Sequence, residues 1–193
     1  GGIVAWETAI RHPDRLADLA VLNAPHPGAY RRELLQHPEQ WRRSSYAMAF
    51  QLPRLPEFVL GARNCAGVAK LLVDSAVTPS SFDERDLQRY REAACRPGAL
   101  TSAINYYRAQ FRSGLRRELG SVLGDRRSLD VDVPTLLVWG EADVALDVAL
   151  TEDLDRWVDD LRVERLPDVS HWVQNERPEQ VSDLLVEFLS RRD

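Results

Sequence analysis

This chain of 193 residues is poor in several things, and each shortage removes a class of protein. No uninterrupted apolar run approaches the roughly 20 residues that a membrane-spanning helix needs. The 25 basic and 30 acidic residues are interspersed and give a net charge of -5, so there is no basic stripe for nucleic acid or an anionic membrane. Cysteine occurs only as Cys65 and Cys95, far apart and without a neighbouring Cys or His at metal spacing. That spacing points to free thiols in a reducing compartment rather than a bridge, and to no metal held by them. No charged-then-apolar leader pattern opens the chain, and a cytoplasmic location follows as the expectation. Lys70 is the only lysine, and Met48 is the only methionine, so Gly1 is not expected to be a natural translation start. What remains is an ordinary globular composition, 44% hydrophobic and 28% charged, enough for one domain or most of a larger one.

Periodicity orders the chain. A helix runs through Ile3, Val4, Ala9 and Ile10 until Pro13 closes it. "LADLAVLNAP" (Leu16 to Pro25) then reads as a buried strand ending at a turn. "VPTLLVWGEAD" (Val133 to Asp143) is apolar on both faces from Thr135 to Trp139, as a strand covered by helices on both sides should be. Helical spacing follows at Leu150, Leu154, Trp157, Val158 and Leu161. "LRVERL" alternates weakly, like a strand near a sheet edge. Val181, Leu184, Leu185, Phe188 and Leu189 mark a last amphipathic helix behind Pro178. Strand, helix, strand, helix is the grammar of a parallel sheet with helical crossovers. Between the strands only helix signals occur, with a capping box expected at "SFDE" (Ser81 to Glu84) and breaks at "LPRLPE" and "RPG". The chain therefore divides into a core piece at 1–29, an inserted all-helical cap at 30–128 and a second core piece at 129–193, the insertion reading as a lid over the sheet's carboxyl edge.

Ligands of open parallel sheets bind beyond the carboxyl ends of the strands, so polar residues placed directly after a strand carry raised functional odds. Asp143 in "WGEAD" and His171 in "LPDVSH" both qualify. An acid and then a histidine, each on a loop at one sheet edge, suit a catalytic triad whose nucleophile precedes both in the chain. Asp147 is the second candidate for the acid. Asp130 and Asp132 precede their strand and fall at the wrong end. Of the other histidines, His26 lies close enough to the lid entrance to border a pocket.

Four motifs in order give the chain a resemblance to the C-terminal two-thirds of an α/β-hydrolase of the epoxide hydrolase group, with the expected partial parallel sheet of the last three strands. "VLNAP" matches that family's strand ending, and "GEADVAL" and "SHWVQ" match its acid and base segments. "YAMAFQLP" and "INYYRAQ" match the two lid segments that carry tyrosines, here Tyr46 and Tyr107, with Tyr106 the alternative to Tyr107. Gly1 and Gly2 look like the end of the family's G-x-D-x-G-G nucleophile turn, which would put the catalytic Asp two positions before Gly1. The resemblance implies that an epoxide is opened to a vicinal diol, as in detoxification, through an ester on that upstream Asp. Tyr46 and Tyr107 would protonate the epoxide oxygen, and His171, held by Asp143, would activate water. It implies no cofactor, a small-molecule epoxide and water as partners, and a missing N-terminal core segment without which the chain is inactive. A homodimer is left open. Two other readings stand beside it: a haloalkane dehalogenase, which would use a lid residue such as Trp41 to hold halide, and a non-catalytic truncated fragment.

Overall fold

The computed structural model describes residues 1–43, 45–122 and 128–192, with side chains except at 38, 39, 41, 115–122 and 192. In chain order the elements are α1 (Gly2–Arg11), β1 (Leu19–Leu22), α2 (Pro27–Gln36), α3 (Pro38–Arg43), α4 (Ser45–Ala49), α5 (Leu55–Ser75), α6 (Glu84–Ala94) and α7 (Ala99–Val122). They continue with β2 (Thr135–Gly140), β3 (Leu161–Leu166), α8 (Val173–Glu176) and α9 (Pro178–Leu189). These fall into two compact units. The first comprises Gly1–Arg43, Ser75–Thr78 and Ser128–Asp193, and the second Ser44–Asp74 and Pro79–Arg127. Residues 30–43 and the short segment 75–78 thus group with the sheet.

In the first unit the strands run parallel in the order β1-β2-β3. All six residues of β2 are buried, because this central strand has a neighbour on each side and packing on both faces. Successive side chains of a strand point to opposite faces, which splits the core in two. Leu137 and Trp139 pack with Trp6, Leu19, Val21, Leu150 and Val158, while Leu136 and Val138 pack with Leu166, Val181 and Phe188. α1 therefore covers one face through Trp6, whose indole N–H donates to the Ala24 carbonyl at 3.0 Å, and α9 covers the other. Each buried Leu or Val contributes about 1.5–3 kcal/mol.

Two readings of the sequence are corrected in this unit. The helix expected across Leu150 to Leu161 is instead a pair of 3-10 turns, Val148–Thr151 and Leu154–Arg156. Asp147 caps the first through the Ala149 N–H, and the chain then breaks at Glu152, which is extended, and Asp153, at a left-handed φ of 49°. Leu150, Leu154 and Val158 are still buried, so two short turns meet the apolar spacing that suggested one helix. His26, read as bordering a pocket at the lid entrance, is instead packed into the core. It is fully buried, stacked on Trp157 and edge-on to Trp6, and its Nδ1 accepts the Gly28 N–H at 3.1 Å to cap α2.

The second unit is helical, and it holds two further corrections. α6 is capped by Asp83, whose carboxylate accepts the Asp86 N–H at 2.7 Å, and Ser81 belongs to a preceding 3-10 turn. A carboxylate two residues nearer the helix takes the cap instead of the hydroxyl. Cys65 and Cys95 form a disulfide across a sequence separation of 30. The bridge becomes reachable because α5 is interrupted at Ala62–Cys65, where Arg63, Asn64 and Cys65 take φ of 52°, 55° and 57° and turn Cys65 toward the end of α6. Arg91 of α6 donates to the Asn64 carbonyl at 3.0 Å and fastens the same bend. The pairing removes the argument for a reducing compartment. Among the described residues no helix is long and apolar enough to cross a membrane.

Candidate active site

Asp143 follows β2 after a turn that can form only because residue 140 is glycine. A Cβ there would lie 2.1 Å from the Ser170 carbonyl oxygen and 2.5 Å from that of Val169. The loop bearing His171 crosses directly over this bare Cα, and the Ala142 N–H donates to the Val169 carbonyl at 3.0 Å to stitch the two turns together. The acid and the histidine meet as a result: His171 Nδ1 lies 2.7 Å from Asp143 Oδ2.

Every lone-pair direction of this carboxylate is used. Oδ1 accepts the Ala145 and Leu146 N–H groups at 2.8 and 3.1 Å, while Oδ2 accepts the Asn23 amide at 2.9 Å besides His171. Burial by itself would push the Asp143 carboxyl upward, but the hydrogen bond and charge of His171, the Asn23 amide and the Ala145 N–H outweigh it and hold the group below the usual carboxylate range. Asp143 is therefore an anion that accepts the Nδ1–H of His171, which leaves Nε2 as the ring nitrogen the acid does not engage. Asp147, the second candidate acid, is committed elsewhere: it caps the 3-10 turn and pairs with Arg43 at 3.2 Å. Arg43 also donates to the Asp143 carbonyl at 3.0 Å, and Gln40 bridges the Ala145 carbonyl and the Asp147 N–H.

The backbone just before His171 is held by Glu176, a buried carboxylate that accepts the Ser170 N–H at 2.6 Å and the Thr78 N–H at 3.0 Å. The next residue, Trp172, donates its indole N–H to Ser75 Oγ at 2.8 Å. The strap at Ser75–Thr78 is thus docked on the loop that carries the histidine.

The tyrosines lie in the helical unit. The rings of Tyr46 and Tyr107 meet edge-on at 5.9 Å, with Phe50 at 5.8 Å from the first and 5.0 Å from the second. Tyr106 is 67% exposed. Arg108 fixes this cluster: its guanidinium pairs with Glu57 at 2.6 Å and donates to the Phe50 and Leu52 carbonyls at 2.9 Å, joining α7 to the segment that follows Tyr46. The Arg108 hydrogen bond holds the Glu57 carboxyl below its ordinary range. The side chain of Trp41 lies outside the described residues. Among the described residues no three His, Cys, Asp or Glu side chains gather as a metal site.

Asn23, Glu176, Arg43 and Arg108 have no signal of their own in the sequence reading. The "LNAP" match includes Asn23 but gives it no chemistry. A buried carboxamide directly after a strand, facing two other post-strand loops, is the only cue that points to it.

This arrangement of strands, acid turn and histidine loop agrees with the family model for the alpha/beta hydrolase fold, which matches residues 1–178. The chain belongs to that family. It is 35% identical over 194 residues to epoxide hydrolase 3 of Xenopus tropicalis, covering 98% of this chain and 50% of the relative. It is likewise 35% identical over 195 residues to human epoxide hydrolase 4, covering 98% of this chain and 51% of that one. An epoxide hydrolase of Bacillus megaterium, solved with an inhibitor, superposes with a TM-score of 0.84 at 26% identity, covering 99% of this chain and 66% of that structure. The chain spans about half the length of these curated relatives.

Proposed function

We propose that this alpha/beta hydrolase chain is the acid, base and lid portion of an epoxide hydrolase that converts an epoxide to a vicinal diol. The observation that carries the reading is the 2.7 Å contact between His171 Nδ1 and an Asp143 carboxylate whose other positions are all filled. Such a dyad presents Nε2 as a base and little else, so it suits activation of water against a reactive ester. An epoxide carbon is saturated, and a carboxylate that displaces its oxygen forms an ester that can later be cleaved at its own carbonyl. We place that carboxylate in the part of the protein that the longer relatives have and this chain does not span.

In the first step the carboxylate forms a bond to the epoxide carbon, the carbon–oxygen bond breaks, and Tyr46 or Tyr107 supplies the proton that neutralises the alkoxide. In the second step His171 Nε2 takes a proton from water, and the hydroxide adds to the ester carbonyl. Collapse then expels the diol oxygen, which takes up the proton that the imidazole holds, and the proton left on the regenerated carboxyl returns through water to the tyrosinate, restoring both carboxylate and phenol. Two tyrosine hydroxyls favour an oxygen leaving group over halide.

In the longer protein, Tyr107→Phe slows diol formation from styrene oxide by about 10²-fold, and adding Tyr46→Phe nearly abolishes it. A double variant that forms diol at the parental rate contradicts the role of the tyrosines.

A further inference from the structure

Asn23 occupies a position that the reaction does not itself call for. It is the residue after β1, it is 2% exposed, and its φ of 40° places it in the left-handed region that asparagine tolerates better than other non-glycine residues. Its own N–H donates to the Val138 carbonyl at 3.0 Å, which completes the β1-β2 pairing and fixes the backbone. The carboxamide then reaches two groups, accepting the Gly140 N–H at 2.8 Å through Oδ1 and donating to Asp143 Oδ2 at 2.9 Å through Nδ2.

A backbone N–H can only donate, so Gly140 dictates which end of the amide carries oxygen, and the NH₂ end must point at the carboxylate. Oδ2 of Asp143 consequently meets a donor from Asn23 and is left to accept a second from His171. A proton on this carboxyl would oppose one of the four donors around it. Among the described residues, the titratable and charged groups in contact with Asp143 are His171 on its carboxylate and Arg43 on its carbonyl, the latter shared with Asp147.

We infer that Asn23 is a positioning residue for the base: anchored by the Gly140 N–H, its amide sets the rotamer and proton pattern of Asp143 and thereby the tautomer of His171. The inference rests on the epoxide hydrolase reading for its kinetic consequence, but not for its effect on the imidazole. Alanine at position 23 leaves the Gly140 N–H and one carboxylate position without a partner. Aspartate there keeps the acceptor for Gly140 but sets two carboxylates against each other, which work together only while they share a proton.

The test compares the parent, Asn23→Ala and Asn23→Asp in the longer protein. Ester formation and ester hydrolysis are followed separately by rapid mixing with styrene oxide. The low-field imidazole N–H proton is followed by NMR and assigned by its loss in His171→Gln. We expect Asn23→Ala to move or broaden that resonance and to slow hydrolysis about tenfold or more while ester formation stays within about threefold. We expect Asn23→Asp to hydrolyse within about threefold of the parent near pH 5 and to lose about tenfold by about pH 8, as the shared proton leaves. Both variants keeping the parental resonance, hydrolysis rate and pH profile overturns the inference. So does an Asn23→Asp variant equally impaired at every pH, since a residue needed only for packing behaves that way. Absence of diol formation by the parent defeats the epoxide hydrolase reading alone, and the imidazole resonance in Asn23→Ala then decides the role of Asn23 on its own: displaced supports it, unmoved rejects it.

Discussion

His26 is the residue whose burial has the clearest consequence for pH. Its Nδ1 accepts the Gly28 N–H and its Nε2 donates to the Leu129 carbonyl at 3.0 Å, an arrangement that requires the neutral ring. Burial pushes its pKa down from 6.5 to about 4. In the unfolded chain the ring takes a proton as the pH falls through 6.5, and in the folded chain it does not until about 4. Stability is therefore full above the unfolded value and declines between the two, by at most about 1.4 kcal/mol per pH unit and about 3 kcal/mol in all. Urea titrations between these pH values should show the decline in the parent and a shallower one in His26→Gln. Equal slopes would show that the acid sensitivity lies elsewhere. The same scale explains which site residues were legible in sequence. Asp143 and His171 each follow a strand and announce themselves by position. Asn23 and Arg43 act on partners 120 and 100 residues away; the place of Asn23 directly after β1 is a local cue without a named chemistry, and nothing local to Arg43 marks its contact.

At the scale of elements, the turn after β2 and the bend in α5 are the two places where backbone geometry decides the outcome. Gly140→Ala drives a methyl into the Ser170 and Val169 carbonyls, which belong to the loop holding His171 and cannot rotate away. We expect a loss of about 1–3 kcal/mol in stability, seen as a lower melting temperature, together with loss of the His171–Asp143 contact and, in a protein that includes the proposed carboxylate, of turnover. Parental melting and parental turnover would mean that the two loops are not packed as described. In the helical unit, the Cys65–Cys95 bridge closes a loop of 30 residues over three consecutive left-handed residues. Replacing both cysteines by serine, or reducing them, should lower stability by about 2–4 kcal/mol. A melting temperature indifferent to reductant would show the thiols to be unpaired. The strands, α1 and α9 were readable because their apolar periods run uninterrupted. The 3-10 turns after Asp147 and the bend at Arg63–Cys65 were not, because short turns can satisfy helical spacing, and because a run of left-handed residues without glycine defies local preference and is held by partners distant in sequence, Cys95 and Arg91.

At the scale of the whole molecule, the sheet unit carries the His171–Asp143 pair and the helical unit a pair of tyrosines, and the proposed reaction calls on both together with the carboxylate proposed above. Under the proposed reaction the two half-reactions are separable, ring opening depending on the tyrosines and ester hydrolysis on His171. The most direct measurement is intact-protein mass spectrometry of His171→Gln in the longer protein after mixing with styrene oxide. We expect a stable adduct of one substrate mass to accumulate while diol formation stops, since the ester forms without the base and cannot be cleaved without it. A spectrum of unmodified protein while diol continues to appear would contradict the assignment of His171 as the base that hydrolyses an alkyl ester.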